Sequence, residues 1–246
     1  MIKFFRKIRL SLIESSKTSK YFKYAIGEVI LVVIGILIAL QINNWNERRI
    51  DNNNKIKYYK QLLKDFEGNK SNINFNVKRY QLNSEAYKNY QTKLKTPNLH
   101  LDTIYEHLCK IDFTISTATF NFQTFNSLES TGDLKLFKSD FRNALMSLNS
   151  LQKEYLELNT TNNKVYTDLI KVNPLSFKNL YINETKNQKN LYNNQDLQIQ
   201  FSKQIADFNH ALRFKYFNEK QYEIYLNNIL NQIIELETLI LKELQE

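Results

Sequence analysis

Hydrophobic and polar positions divide the chain into one apolar run and a longer remainder with a helical repeat. The run reads YAIGEVILVVIGILIALQI, from Tyr24 to Ile42, and it is interrupted only by Glu28 and Gln41. At the helical rise of 1.5 Å per residue it would span about 28 Å, close to the roughly 30 Å hydrocarbon core of a bilayer. The pattern therefore predicts a single transmembrane helix over residues 24–43.

After residue 43, apolar residues recur at spacings of three, four and seven, which is typical of amphipathic helices. The predicted elements are a stalk ending near Pro97, a short helix over 101–111, an extended link, a helix from about Asn121 to Gly132, a helix over Ser139–Val172, a polar loop over 183–194, and two helices over Asp196–Phe217 and Asn218–Leu244. Only 4 Gly and 2 Pro are present, so a turn-rich fold is disfavoured. The sequence predicts an all-α protein in which a transmembrane helix continues into a stalk, with an antiparallel helical bundle over residues 44–246.

The residues that flank the apolar run are typical of a membrane anchor. Lys20 and Lys23 precede it, and Trp45, Arg48 and Arg49 follow it at interfacial depth. Nothing else in the chain is apolar enough to surround a helix that is hydrophobic all round, which disfavours a buried helix of a soluble protein. No small-residue cleavage site follows, which disfavours a secretory signal peptide. We expect a retained, single-pass span that is in contact with the lipid bilayer.

Glu28 has two interpretations. It lies about four residues inside the run, so its carboxylate can reach headgroup water and be merely tolerated there. Alternatively, Gly35 and Ala39 lie within about 20° of Glu28 around a helix, and small residues four apart let two helix backbones approach closely. The second interpretation is a hypothesis that the span associates with itself through Glu28, Gly35 and Ala39.

The segment before the span, residues 1–23, is basic and contains several large apolar residues. It is either an amphipathic helix on an anionic leaflet or a disordered basic tail that only sets topology. Seven Lys and Arg precede the span, against five in a comparable window after it. By the positive-inside rule we expect a signal anchor in the bacterial inner membrane, with a cytoplasmic N-terminus and a periplasmic C-terminal domain.

Candidate chemistry is sparse. The formal net charge of +9 suggests nucleic acid, but the lysines are scattered along the chain, so we expect no nucleic-acid binding. His100, His107 and Cys109 are close in sequence, yet His107 and Cys109 would face opposite sides of a helix and could not share a metal ion. No phosphate-binding loop or nucleophile elbow occurs. We expect no enzyme activity, cofactor or metal site.

Aromatic and acidic residues of the bundle are expected to be structural. Phe120, Phe122 and Phe125 beside Tyr105 could line a ligand pocket, but aromatic residues on helices more often form core. The carboxylate pairs Glu154 with Glu157 and Glu235 with Glu237 lie among lysines. We expect these four to be solvated charges.

Three segments resemble an uncharacterised family of single-span membrane proteins typical of Bacteroidota, described only as a domain of unknown function. They are MIKFFRKIR, YAIGEVILVVIGILIALQINNWNE and TFNSLESTGDLKL. The resemblance implies an inner-membrane protein with a helical soluble part. It implies no activity, cofactor or catalytic residue.

The sequence favours one of three functions. A membrane-anchored interaction or scaffold protein, self-associating or bound to another envelope protein, agrees best with an anchor and a helical bundle. An extracytoplasmic ligand-sensing domain would have to signal through a partner, because only about twenty residues precede the span. An enzyme would need a cleft with titratable groups of perturbed pKa, and no motif marks one.

Overall fold

The computed structural model describes residues 18–99, 101–108, 110–171 and 195–245. Within these ranges the chain forms helices joined by irregular segments, without a β-strand. The elements are α1 (Thr18–Leu94), α2 (Leu101–Leu108), α3 (Gln123–Thr131), a 3₁₀ helix (Asp133–Leu136), α4 (Ser139–Lys171) and α5 (Gln195–Gln245). The all-α prediction is confirmed. Most of the basic N-terminal segment and the predicted polar loop over 183–194 lie outside the described residues.

The chain divides into two compact units, Met1–Lys57 and Tyr58–Glu246. In its described part, the first unit consists of the N-terminal portion of α1. The second unit contains the remainder of α1 and all the other elements.

In the second unit, α1 buries a single seam of side chains spaced alternately by three and four residues. The seam consists of Tyr59, Leu62, Phe66, Asn69, Ile73, Asn76, Tyr80, Asn83, Tyr87 and Tyr90. This heptad spacing keeps one side of a helix against its neighbours, as in helical bundles and coiled coils. The apolar stripe predicted after residue 43 is confirmed, but three of its buried positions are asparagines.

The prediction of two C-terminal helices is wrong, because α5 is one helix. No Gly or Pro occurs between residues 195 and 245, so nothing there terminates a helix. The Asn218 side chain, at the expected break, donates to the carbonyl of Phe214 at 2.9 Å and thus follows the helix. The buried seam of α5 has the same alternating spacing and comprises Phe208, Leu212, Lys215, Glu219, Tyr222, Leu226, Ile229, Ile233, Leu236 and Ile240.

Helix α5 runs antiparallel to α4 and to the part of α1 in the second unit. Residue numbers on α5 fall as those on its partners rise in the pairs Lys70 with Glu237, Asn83 with Glu219, Tyr90 with Asn209, Glu154 with Tyr225, and Asn162 with Asn218. The interior contains rings as well as aliphatic side chains, and the Tyr155 and Tyr222 rings lie 5.8 Å apart. These contacts agree with the predicted antiparallel bundle.

Residues 112–122, which we call the strap, lie between α2 and α3 in the chain and do not form a helix. The strap begins beside Asn83 and ends beside Asn69, so it runs antiparallel to α1. It leads into α3, whose C-cap residue, Gly132, has the left-handed conformation with φ of 73°. Glycine is favoured there because a side chain would strain that backbone. The predicted helix terminator at Gly132 is confirmed.

Candidate functional site

The apolar run in the first unit is uncovered. Between Val29 and Ile42 its large apolar side chains range from 46% exposed at Ile34 to 64% exposed at Leu31. The most apolar stretch of 18 residues has a mean hydropathy of 2.6, and none of it is buried. Among the described residues this is one helix long and apolar enough to cross a membrane. Apolar surface on this scale is unfavourable in water and marks a site that another apolar phase or molecule covers.

Glu28, Gly35 and Ala39 all lie on this part of α1. Glu28 is half-buried, whereas Gly35 and Ala39 are exposed. A Cβ atom added at Gly35 would meet no other atom within 4 Å, so no neighbour in this chain requires a glycine there. Because α1 is helical over this stretch, the three residues lie on one face. Self-association through that face stays a prediction.

The predicted interface anchors after the run form a local contact. The Arg49 guanidinium lies 5.8 Å from the centre of the Trp45 ring, within the range of a cation–π interaction. Arg49 also donates through Nη2 to Oδ1 of Asn46 at 3.2 Å. Arg48 is exposed one residue earlier. Lys20 and Lys23 are in α1, but their side chains are outside the described residues.

In the second unit, side chains of α1 and α4 bind the main chain of the strap. Asn83 Oδ1 accepts the N–H of Asp112 at 2.9 Å, and Asn69 Oδ1 accepts the N–H of Asn121 at 2.8 Å. Further main-chain bonds join Asn72 to Thr119, Tyr155 to Ala118, Tyr80 to Ser116, and Tyr166 to Phe113. Main-chain polar groups near a core need such partners. The strap is therefore fixed by helix side chains instead of by a β-ladder.

An ion pair anchors the beginning of the strap. Arg79 Nε donates to Oδ2 of Asp112 at 2.8 Å, and Oδ1 of Asp112 accepts the N–H of Thr114 at 2.9 Å. Burial by itself would raise the pKa of Asp112, but the hydrogen bonds from Thr114 and Arg79 outweigh it, so that pKa lies below its ordinary value. Asp112 is thus held as a carboxylate.

A second ion pair, between Lys215 and Glu219 of α5, is in the bundle interior. Their side chains are 8% and 7% exposed, and Oε2 of Glu219 also accepts from Nδ2 of Asn83 at 2.6 Å. Burial raises the pKa of Glu219, and the favourable contacts with Lys215 and Asn83 offset only part of that effect. Because Asn83 also binds Asp112 of the strap, it connects this pair to the strap.

Three buried tyrosines, Tyr80, Tyr155 and Tyr222, form the centre of the bundle. The Tyr80 and Tyr155 hydroxyl oxygens are 3.3 Å apart, and the Tyr80 and Tyr222 rings are 6.0 Å apart. Burial raises the pKa of all three, for Tyr222 to about 12. They are therefore neutral at physiological pH, and the hydroxyls of Tyr80 and Tyr155 bind the main chain of the strap.

Two small clefts open beside the strap. One, of about 20 Å³, is lined by Phe122, Phe125 and neighbouring polar residues, and the other, of about 10 Å³, is beside Glu219. Each has room for about one water molecule. Phe125 belongs to the buried core, and Phe120 packs on Tyr155 with ring centres 5.8 Å apart. The core interpretation of these two phenylalanines is confirmed, while the side chain of Tyr105 lies outside the described residues.

One carboxylate prediction is wrong. Glu237, expected to be a solvated charge, accepts from Lys70 Nζ at 2.7 Å, and its side chain is only 17% exposed. Glu154 accepts from the Tyr225 hydroxyl at 2.9 Å. Glu237 faces α1 instead of open solvent, because antiparallel packing brings α5 beside α1, whereas Glu154 is exposed as predicted.

Of the candidate metal ligands, His107 lies half-buried on α2, and His100 and Cys109 lie outside the described residues. In the part of the chain that the structure describes, no group of three or more His, Cys, Asp or Glu side chains is placed to hold a metal ion. The sequence interpretation did not find the asparagines of the α1 seam or the Lys215–Glu219 pair. The available signal was their spacing, because each is in register with the apolar residues of its helix.

These observations define the class: an all-α protein with one exposed helix apolar enough to cross a membrane. Residues 28–94 match a family of unknown function (DUF6090). The match begins at Glu28 in the apolar run and stops at Leu94, where α1 ends. It bears out the resemblance only as far as a family of unknown function, and it does not extend to the segments MIKFFRKIR and TFNSLESTGDLKL. No curated protein and no solved structure matches the chain.

Proposed function

We propose that the chain is a single-pass membrane-anchored interaction or scaffold protein, whose helical bundle binds another envelope protein. The observation that supports this most is the exposed apolar run, in which every large side chain from Val29 to Ile42 is at least 46% exposed. A lipid phase would cover that run on all sides, as its all-round hydrophobicity requires. The bundle is then held at a membrane surface.

A protein partner agrees better with the second unit than a small-molecule ligand does. The two clefts beside the strap have room for about one water molecule each, which is too little space for a small-molecule ligand. Ligand sensing is the competing function. A thermal-shift screen of the full chain in detergent distinguishes the two, since a ligand that binds the folded state raises the unfolding temperature.

The proposal includes an orientation, with the N-terminus in the cytoplasm and the bundle in the periplasm. To test it, a cysteine is placed at Glu246 in a Cys109→Ala background, and intact cells are treated with a membrane-impermeant thiol reagent. Labelling that requires only outer-membrane permeabilisation is expected. Protection until the inner membrane is lysed would reverse the orientation and make an intracellular scaffold the better proposal.

Self-association through Glu28, Gly35 and Ala39 is part of the proposal. A glycine inside a helix is less favourable than alanine by about 1 kcal/mol, and nothing within the chain requires one at Gly35. We expect Gly35→Ile to abolish a cross-linked dimer, because the larger side chain separates the two backbones. Gly27→Ile is the matched control. A Cβ atom at Gly27 would also meet no atom within 4 Å, but Gly27 lies about 80° from Gly35 around the helix. Equal cross-linking of Gly35→Ile and the unmodified chain would contradict self-association.

A further inference from the structure

The helical turns that follow the apolar run have charges of opposite sign on opposite sides. Arg48 and Arg49 lie within about 60° of Trp45 around the helix, whereas Glu47 and Asp51 lie more than about 100° from it. All five side chains are exposed. Trp45 and the two arginines therefore present a cationic face with an aromatic centre, which we call the Trp45 face.

The Trp45 face lies at the depth of lipid phosphates if the apolar run spans a bilayer. The Cα of Trp45 is three residues beyond Ile42, or about 4.5 Å along the helix axis, and each headgroup layer is about 5–8 Å thick. Helical side chains point towards the N-terminus, and the Arg49 guanidinium, 5.8 Å from the Trp45 ring centre, reaches back by one turn. The cationic group is thus displaced from its own Cα towards the apolar run.

The local contacts orient Arg49 for an anion. Its guanidinium rests near the Trp45 ring and donates one N–H to Asn46 at 3.2 Å. A guanidinium has five N–H donors in a planar fork that matches the oxygens of a phosphate. Arg48 supplies a second charge on the other side of Trp45. Two positive charges complement an anionic lipid better than a zwitterionic one, whose phosphate is already neutralised by its own amine.

We propose that Trp45, Arg48 and Arg49 form a binding site for the phosphate group of an anionic lipid headgroup. This inference rests on the proposed membrane anchoring and adds the class of lipid. A basic residue near an anionic membrane surface typically raises the affinity for that surface about fivefold. Both arginines should therefore be needed for full selectivity.

The experiment uses Trp45, the chain's single tryptophan, as a fluorescent reporter in the full chain. The protein is reconstituted in vesicles of phosphatidylcholine and phosphatidylglycerol. In each preparation one of the two lipids has brominated acyl chains, which quench tryptophan fluorescence on contact. Brominated phosphatidylglycerol is compared with brominated phosphatidylcholine at the same mole fraction. We expect the anionic lipid to quench Trp45 more strongly, and Arg48→Gln/Arg49→Gln to quench equally with both lipids.

The matched control is Lys57→Gln compared with Arg48→Gln, because each removes one positive charge from the exposed surface of the same helix. Lys57 lies twelve residues beyond Trp45, about 18 Å along the axis, so its replacement should leave the lipid preference unchanged. Equal quenching by the two lipids in the unmodified chain, or a preference that persists in the double variant, would overturn the inference.

Two outcomes separate the possible failures. If brominated phosphatidylcholine does not quench Trp45 at all, membrane anchoring itself is wrong, and the lipid site is wrong with it. Soluble glycerol phosphate is also added at the same concentration as the anionic lipid. If it removes the stronger quenching by brominated phosphatidylglycerol, the Trp45 face binds free phosphate, and the lipid assignment is overturned.

Discussion

The two units use the same helix-forming backbone in opposite ways. In the first unit, apolar side chains surround α1 on all sides and are exposed, as at Leu37, which is 57% exposed. In the second unit, α1 and α5 each bury a seam along one side of the helix, and Leu226 is fully buried. Helix propensity is similar for the two patterns. The angular distribution of apolar residues, not their helicity, decides which surroundings each part requires.

The units differ equally in how they accommodate polar groups. The seams of the second unit contain Asn83, Lys215 and Glu219, and each is hydrogen-bonded. From Val29 to Leu40 the first unit has no polar side chain. A protein interior tolerates polar groups when it supplies their partners, while hydrocarbon supplies none. Substitutions that exchange these properties between the units test the comparison.

The largest effect is expected from breaking the buried ion pair. Glu219→Leu leaves Lys215 and Asn83 without their acceptor, and removal of one member of a buried pair costs about 3–5 kcal/mol. The double variant Lys215→Met/Glu219→Leu should recover most of this loss because no uncompensated charge is left. Urea unfolding of the full chain in detergent, followed by circular dichroism, measures both. A double variant as unstable as Glu219→Leu would contradict this explanation.

The next effect contrasts one substitution in both units. Leu226→Ala creates a cavity in the bundle and should lower the free energy of unfolding of the second unit by about 2–5 kcal/mol. Leu37→Ala removes a side chain that contacts no core and should leave this free energy unchanged. The same urea titration measures both variants, and a comparable loss for Leu37→Ala would show that the apolar run is packed against protein.

A smaller effect is expected where the strap meets the α1 seam. Asn76 is buried and binds the hydroxyl of Ser116, so Asn76→Leu should cost about 1–3 kcal/mol, the usual penalty for a buried polar group left without its partner. Asn74→Leu, on the exposed side of the same helix, is the control. Amide hydrogen exchange at Ala118 and Thr119 should accelerate in Asn76→Leu alone. Equal rates of amide hydrogen exchange in the two variants would mean that Asn76 does not hold the strap in place.

The smallest effect concerns pH. The pKa of Asp112 is lower in the folded state, so its contribution to stability is complete above the unfolded pKa and is lost as pH falls through the folded value. Asp112 is 37% exposed, and solvent screening limits the contribution to less than about 1 kcal/mol. Asp112→Asn should flatten the acid limb of a plot of unfolding free energy against pH. An unchanged acid limb would assign that pH dependence to other carboxylates.

Much of the fold could be predicted from the sequence, because apolar spacing and a few helix terminators determine it. The seam through Tyr59, Phe66, Ile73 and Tyr80 followed from heptad spacing, and Gly132 followed from its tolerance of positive φ. The break predicted at Asn218 was wrong. Its side chain bonds to the preceding turn, which only the structure reveals.

The strap contacts could not be predicted, because they join residues that are far apart in sequence. Asn69, Asn76 and Asn83 look like solvated residues until the strap is placed beside them, since only then do buried N–H groups need their oxygens. Lys215 and Glu219 were similarly missed, as an i, i+4 charge pair is usually exposed. In the first unit, composition alone indicated the apolar run, but the contact between Trp45 and Arg49 needed side-chain geometry.

Accessibility along α1 decides whether the apolar run spans a bilayer. In a Cys109→Ala background, nitroxide labels are placed singly at Leu31, Ile34, Ile38, Asn52 and Lys57 of the full chain in lipid vesicles, and their collisions with oxygen and with a water-soluble nickel complex are compared. We expect collisions with oxygen to dominate at the first three positions and collisions with the nickel complex at the last two. Equal access of the nickel complex to all five would contradict a membrane-spanning segment.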